Sequence, residues 1–387
     1  MASRFRIRIV LDWDGTLTTR DTLHVVAAIG YRTNKHRVPP PPSWDQIVQA
    51  YMADYTCHQD AYRPSRQDRR TIPLESAWLA SLRGVEVRSV RRVVDAGIFA
   101  DVTEGDISME AEGAVRNGEV RLREGWWDVL TAASPGAGAC HSHSHSHVEC
   151  DASVPVPAAA GSPPIAIISV NWSAAFIRAC LTAAATTAPT EAGDLKHEHS
   201  SQIQATVVKS LPILANNLLP CSPRDNDYST TVAPAGGAGI HTSADKLAAL
   251  QHLQRLHRTR DREDQGESES QGDIVIYVGD SPTDFDCLVS ADVGVCVRDE
   301  PLGSGQRELQ ETLERVGVEV RRLDLGEWVR YRRESSRQER GEAGGGCGGG
   351  EARVGGDNKK VVVWWVADLR EVARFVDAYG RYDRDVT

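Results

Sequence analysis

Short aliphatic runs, separated by longer stretches of helical periodicity, set the pattern of this chain. The runs at 5–11, 165–170, 204–209, 273–278 and 293–297 are built on β-branched and aliphatic residues with little polar alternation. Such segments suit strands covered on both faces. With helical patterns between several of them, they predict an α/β fold around a Rossmann-like, mostly parallel sheet. A late run at 360–366 (KVVVWWV), followed by amphipathic spacing over about 367–378, predicts a strand and helix that return to the same core.

Residues 21–118 read differently. Helical patterns at 44–54, 73–82 and 86–117, with few strand candidates, predict a helical cap inserted after the first strand. The core then comprises 1–20, resumes over 119–330 and closes with 359–387. Stretches at 134–164, 186–202, 219–242 and 258–272 are small, polar or charged, and 336–358 contains GGGCGGG. None holds enough apolar surface to offset its ordering entropy, so these are expected to be disordered insertions and a flexible linker.

Composition narrows the function. The 387 residues suffice for a large core plus an accessory domain, and 41% hydrophobic with 25% charged residues is ordinary for a globular protein. A formal charge of −10 argues against a nucleic-acid partner, which calls for a basic face. No apolar stretch is long enough for a signal peptide or a membrane span, so no membrane partner and a cytoplasmic location are expected, with the nucleus left open. Eight scattered cysteines without a C-x-x-C pair suit reduced thiols, and the sequon at Asn171 then has no role.

The strongest chemical signal closes the first run, where RIRIVLDWDGTLT places Asp12 and Asp14 just beyond a strand. Ligands of open α/β sheets bind at the carboxyl ends of strands. Two carboxylates this close repel unless a cation neutralises them, and the pair can divide into a nucleophile and a proton carrier. The alternative is an acidic turn, for which Asp and Gly are suited. At 277–286 (YVGDSPTDFD), Asp280 and Asp284 offer hard oxygen ligands that suit Mg²⁺, or else cap the helix that follows. Ser169 follows a strand and precedes Asn171 at a helix start, where hydroxyl and N–H groups can hold phosphate oxygens; a plain cap is the competing reading. Lys246 opens an amphipathic helix, either as a fixed cation or as solvated surface.

In this order, Asp-x-Asp-Gly-Thr, strand-Ser, Lys and Gly-Asp-x-x-x-Asp resemble the four motifs of the haloacid dehalogenase superfamily, spanning residues 12–284. The helical insert and Val120–Trp126 resemble the phosphoserine phosphatase-like branch. The stretches 169–179 and 277–297 look most like a fungal group within it that includes a yeast cold-tolerance protein. Trp13 and Val170-Asn171 depart from the pattern, the latter standing where relatives often carry Gly-Gly.

The resemblance implies a Mg²⁺-dependent phosphatase of a small phosphorylated metabolite. Asp12 would be the nucleophile and Asp14 the proton shuttle. Ser169, Asn171 and Lys246 would hold phosphate, and Asp12, Asp14, Asp280 and Asp284 the metal. Asp14 favours phosphatase over dehalogenase chemistry. A catalytically silent protein binding a phosphorylated ligand or a protein partner is the alternative, and a phosphotransferase the third. HSHSHSH at 141–147 sits in low-complexity sequence and suits functional metal binding less than it suits a loop. Arg20, His24, Arg63 and Arg70 fit an anionic substrate or, more simply, solvated surface.

Overall fold

The aliphatic runs pair into one parallel sheet, seen in a computed structural model that describes residues 6–132, 164–186, 204, 206–218, 239–265, 273–342 and 360–386. Its strands are β1 (Ile7–Leu11), β2 (Ile165–Ile168), β3 (Ile213–Leu214), β4 (Ile274–Gly279), β5 (Val293–Val297), β6 (Glu319–Arg322) and β7 (Val362–Val366). They lie in the order β3-β2-β1-β4-β5-β7-β6, with every neighbouring pair parallel. Strand periodicity divides their side chains between two cores. Ile9, Leu11, Ile165, Ile167, Ile276 and Val278 point into one. Val10, Ala166, Ile168, Val275 and Tyr277 point into the other. Helices cover both faces, which is the layering of a Rossmann-like α/β fold.

Two sequence expectations fail here for identifiable reasons. The run at 204–209, expected as a strand, is helical over 206–210, and β3 lies just beyond it. A short apolar run cannot by itself distinguish a strand from a buried helical turn. Packing decides: Val208 is buried, and Arg178 donates to the carbonyls of Val208 at 2.8 Å and Leu211 at 3.1 Å. Conversely, β6 (EVRR) was not expected as a strand, because charge hides its pattern. It is a sheet-edge strand, where charged residues are tolerated, and Arg322 lies 5.3 Å from the Trp365 ring.

Two helices also overrun expected loops. The helix Ser243–Gln265 extends into 258–272, and Leu325–Glu342 into 336–358. The histidine run at 141–147, with the rest of 134–163, 187–202 and 219–238, lies outside the described residues.

Between β1 and β2 the described chain forms α1 (Leu23–Thr33), α2 (Trp44–Ala61), α3 (Ile72–Ser81), α4 (Arg83–Asp95), α5 (Glu104–Arg116) and α6 (Trp126–Ala132). The single pattern expected over 86–117 is split. Gly97 and Asp101 take positive φ, and Thr103 with Asp106 forms a capping box that starts α5. The two ends of the segment α1–α5 meet in a neck: Thr18 and Leu122 form an antiparallel bridge, Thr19 N donates to Arg121 O at 2.9 Å, and Arg123 N donates to Leu17 O at 2.8 Å.

The segment is also fastened directly to the rest of the molecule. Glu75 of α3 is buried and accepts from Arg69 Nε at 2.9 Å and from Arg315 Nη1 at 2.8 Å, while Arg69 lies 4.5 Å from the Trp78 ring. Removing one member of such a network leaves buried charge uncompensated. Glu75→Ala is therefore expected to lower the unfolding free energy by about 3–5 kcal/mol in urea denaturation. A loss below about 1 kcal/mol, the scale of an exposed pair, would show that this network does not anchor α3.

Candidate active site at the carboxyl ends of the central strands

The sheet order puts β2 and β3 on one side of β1, and β4, β5, β7 and β6 on the other. The crevice beyond the carboxyl ends of strands at such a switch point is where open α/β sheets bind ligands. Asp12 follows β1 there, and its N–H donates to Val278 O at 2.9 Å, which ties it to the end of β4. Asp280 leaves β4 beside it. Ser169 leaves β2 on the other side, its N–H held by Leu214 O at 2.9 Å.

Lys246 stands at the centre. It lies in the first turn of the helix Ser243–Gln265, whose start is fixed by Asp245: the N–H groups of His241 and Thr242 each donate to Asp245 Oδ2 at 3.0 Å. The lysine is 0% exposed, and its Nζ sits 2.8 Å from Asp12 Oδ1 and 2.8 Å from Asp284 Oδ1. Carboxylate oxygens of Asp12, Asp280 and Asp284 all lie within 4.8 Å of one another. Two of three clustered buried acids thus contact a single ammonium.

The three acids have different duties. Asp284 is saturated. Its Oδ1 takes Lys246 and the Tyr277 hydroxyl (2.7 Å), while Oδ2 accepts from Asp280 N, Ser281 N and Ser281 Oγ, each at 3.1 Å. Asp280 accepts from Thr16 Oγ1 at 3.0 Å, and its other oxygen faces Gly15. A Cβ at residue 15 would come within 2.2 Å of Asp280 Oδ2, so glycine is required both for this approach and for the local φ of 75°. Asp12 Oδ1 is buried without a directed hydrogen bond; its contact with Lys246 is an ion pair. A closely spaced, buried set of carboxylate oxygens fits a hard divalent cation, with Asp12 and Asp280 as the better-placed ligands and Asp284 as the anchor.

Asp14 is kept apart from this cluster. Thr22 donates to its Oδ1 from N–H at 2.7 Å and from Oγ1 at 2.6 Å, and Asn171 Nδ2 donates to its Oδ2 at 2.9 Å. Trp13 supports the same corner by donating from Nε1 to Thr22 Oγ1 at 3.0 Å. Asn171, expected on phosphate, therefore has its side-chain amide on Asp14, with its Oδ1 accepting Ser173 N at 3.1 Å. Ser169 is buried, and its Oγ accepts Asn171 N at 3.0 Å. Thr16, Thr22, Tyr277 and Arg123 take part without being site residues expected from the sequence, although Thr16 sits in Asp-Gly-Thr, Tyr277 in YVGDSPTDFD and Arg123 within Val120–Trp126.

The candidate substrate cations make local contacts. Arg63 Nη1 donates to the carbonyls of Asp60 and Tyr62, and Arg70 Nε to that of Gln67. Arg20 is exposed, and His24 lies 3.9 Å from Glu119. Cys57, Cys180, Cys287 and Cys296 are free thiols. No described helix is long and apolar enough to cross a membrane.

Electrostatics follow from the crowding. Burial pushes the Asp12 carboxyl well above its usual range, with Asp284 adding to the effect and Lys246 opposing it. Burial and then Asp284 push Asp280 from 3.8 up to about 8. Burial and then Asp21 raise Asp14 to about 6, against the hydrogen bonds from Thr22 and Asn171. Burial works against the Lys246 ammonium, yet Asp12 and Asp284 hold its pKa well above its usual value.

No family model matches the chain, and no solved structure matches it. The chain is 23% identical over 289 residues to a CTO1 family protein of Schizosaccharomyces pombe, covering 75% of this chain and 81% of that protein.

A raised carboxyl pKa stabilises the fold at low pH and loses that contribution as pH rises through the folded value. Without metal, the wild type should therefore lose stability relative to Asp280→Asn between about pH 4 and pH 8. Added Mg²⁺ should raise the wild-type melting temperature more at pH 8 than at pH 5. Parallel pH profiles for the two proteins, or equal Mg²⁺ shifts at both pH values, would contradict this electrostatic picture.

Proposed function

We propose that the protein is a Mg²⁺-dependent phosphohydrolase of the haloacid dehalogenase type, cleaving a small phosphorylated metabolite through an aspartyl-phosphate on Asp12. The observation that carries this reading is the Asp12–Lys246–Asp284 arrangement, with Asp280 alongside, at the sheet's switch point. With Ser169 between Asp12 and Lys246, their sequence order resembles the four motifs of that superfamily. Asp12 and Asp280, with the Asp14 main chain and support from Asp284, would hold the ion. Bound Mg²⁺ would neutralise the carboxylates and stabilise negative charge on the phosphoryl group.

The protein's own groups divide the remaining work. An Asp12 oxygen attacks phosphorus; the bond from phosphorus to the leaving oxygen breaks, and Asp14 delivers its proton to that oxygen. Asp14 then takes a proton from water as water attacks the phosphoryl group, releasing inorganic phosphate and regenerating Asp12. A carboxyl raised to about 6 suits a group that must both give and accept a proton near neutrality. Thr22 and Asn171 hold it in place for both steps. Lys246 offsets charge on Asp12 and on the transferred oxygens, and Ser169 lies at the neighbouring strand end to receive them. Residues 21–118 are read as the cap that excludes water and selects the substrate.

The test is phosphate release from a panel of metabolite phosphates, with Mg²⁺ and with EDTA. Mg²⁺-dependent turnover that falls by at least about 10³-fold in Asp12→Asn is expected, a loss of roughly 4 kcal/mol of transition-state stabilisation. Turnover surviving in Asp12→Asn would remove the nucleophile from this scheme. Silence across the panel in folded, Mg²⁺-binding protein would favour a protein that binds a phosphorylated ligand without cleaving it.

A further inference from the structure

Arg123 is a buried cation outside the proposed chemistry. It follows the neck strand that closes the helical segment and is 5% exposed. Its guanidinium reaches back to the turn that carries the proposed nucleophile loop: Nη2 donates to Gly15 O at 2.8 Å and Nε donates to Thr16 O at 3.1 Å. The opposite edge forms a two-point pair with Asp299, just beyond β5, including Nη2 to Oδ2 at 3.2 Å. Asp299 is itself fixed by Gln306, whose Nε2 donates to Oδ2 at 2.7 Å and whose Oε1 accepts Asp299 N at 2.8 Å.

Both residues held by Arg123 also approach the Asp280 carboxylate. Gly15 is pressed against one carboxylate oxygen, and Thr16 Oγ1 donates to the other at 3.0 Å. Displacing the Gly15–Thr16 turn therefore displaces Asp280. We infer that Arg123 is a positioning residue for the cation site, acting through the Gly15 and Thr16 carbonyls to set Asp280 against Asp12, with Asp299 and Gln306 holding the guanidinium in register. This rests on the metal-dependent reading above. A lysine keeps the charge but cannot satisfy two carbonyls and a carboxylate in one plane.

The test is Mn²⁺ binding to the full chain, followed by electron paramagnetic resonance and paired with urea stability measured without metal. Arg123→Lys should weaken Mn²⁺ binding roughly 10-fold or more, the scale of losing a group that orients a ligand, and change the bound-ion spectrum. Asp299→Asn should weaken it in the same direction. Glu75→Gln, which loosens α3 far from the turn, should leave affinity and spectrum unchanged. Wild-type affinity in Arg123→Lys, where Asp280→Asn loses binding, would overturn the role of Arg123 while leaving the metal site intact. Equal weakening in Glu75→Gln at matched stability would reduce the effect to general destabilisation and overturn it. Equal binding by wild type and Asp280→Asn would overturn the metal reading and this inference with it. Should Arg123→Lys fail to fold, Asp299→Asn decides: wild-type affinity there overturns the inference.

Discussion

One buried ammonium among three buried carboxylates is the constraint around which this molecule is arranged. At about 5 Å, two carboxylates repel by roughly 3 kcal/mol at an effective dielectric constant near ~20. Lys246 offsets part of this for Asp12 and Asp284, which it touches, and among the described residues no cation pairs with Asp280. Asp284 is stabilised further by Tyr277 and the loop after β4, so Asp12 and Asp280 are the carboxyls that burial and like-charge repulsion push upward. On the proposed reading, a divalent cation would relieve this repulsion and would in turn hold an anionic substrate.

The fold supplies that crowding by simple means. Parallel strands bring the chain out at one edge of the sheet, and the switch between β1 and β4 sets Asp12 and Asp280 side by side. The turn after β1 then folds over Asp280, which is possible because residue 15 is glycine. Asp14 is steered to the other side, towards Thr22 and Asn171, so that two acids one residue apart serve different environments. The neck at 17–19 and 121–123 joins this turn to the helical segment, and Arg123 extends that junction back to Gly15 and Thr16.

How much of this was legible in the sequence depended on whether the signal was local. Strands β1, β2, β4, β5 and β7 announced themselves because each is a nearly unbroken aliphatic run buried on both faces. The helical turn at 206–210 and strand β6 did not: the first carries strand-like residues in a helix, the second carries charge at a sheet edge. Asp12, Asp280, Asp284 and Lys246 were legible by type and order, and they converge. The attachment of Asn171 to Asp14 was not, because it joins residues far apart in the chain. The contacts of Arg123 were not legible for the same reason, although its segment Val120–Trp126 carried a resemblance: its partners at 15, 16 and 299 are defined only by the folded chain.

The proposed chemistry turns on a covalent bond between Asp12 and phosphorus. Its most direct test is acid-quenched peptide mapping after incubation with Mg²⁺ and a small acyl phosphate, in Asp14→Asn protein where hydrolysis of the intermediate should be slowed. The account predicts an acid-stable, hydroxylamine-sensitive phosphoryl adduct on the peptide containing Asp12, absent in Asp12→Asn. An adduct on another residue, or turnover with no adduct on Asp12 under conditions that trap acyl phosphates, would contradict it.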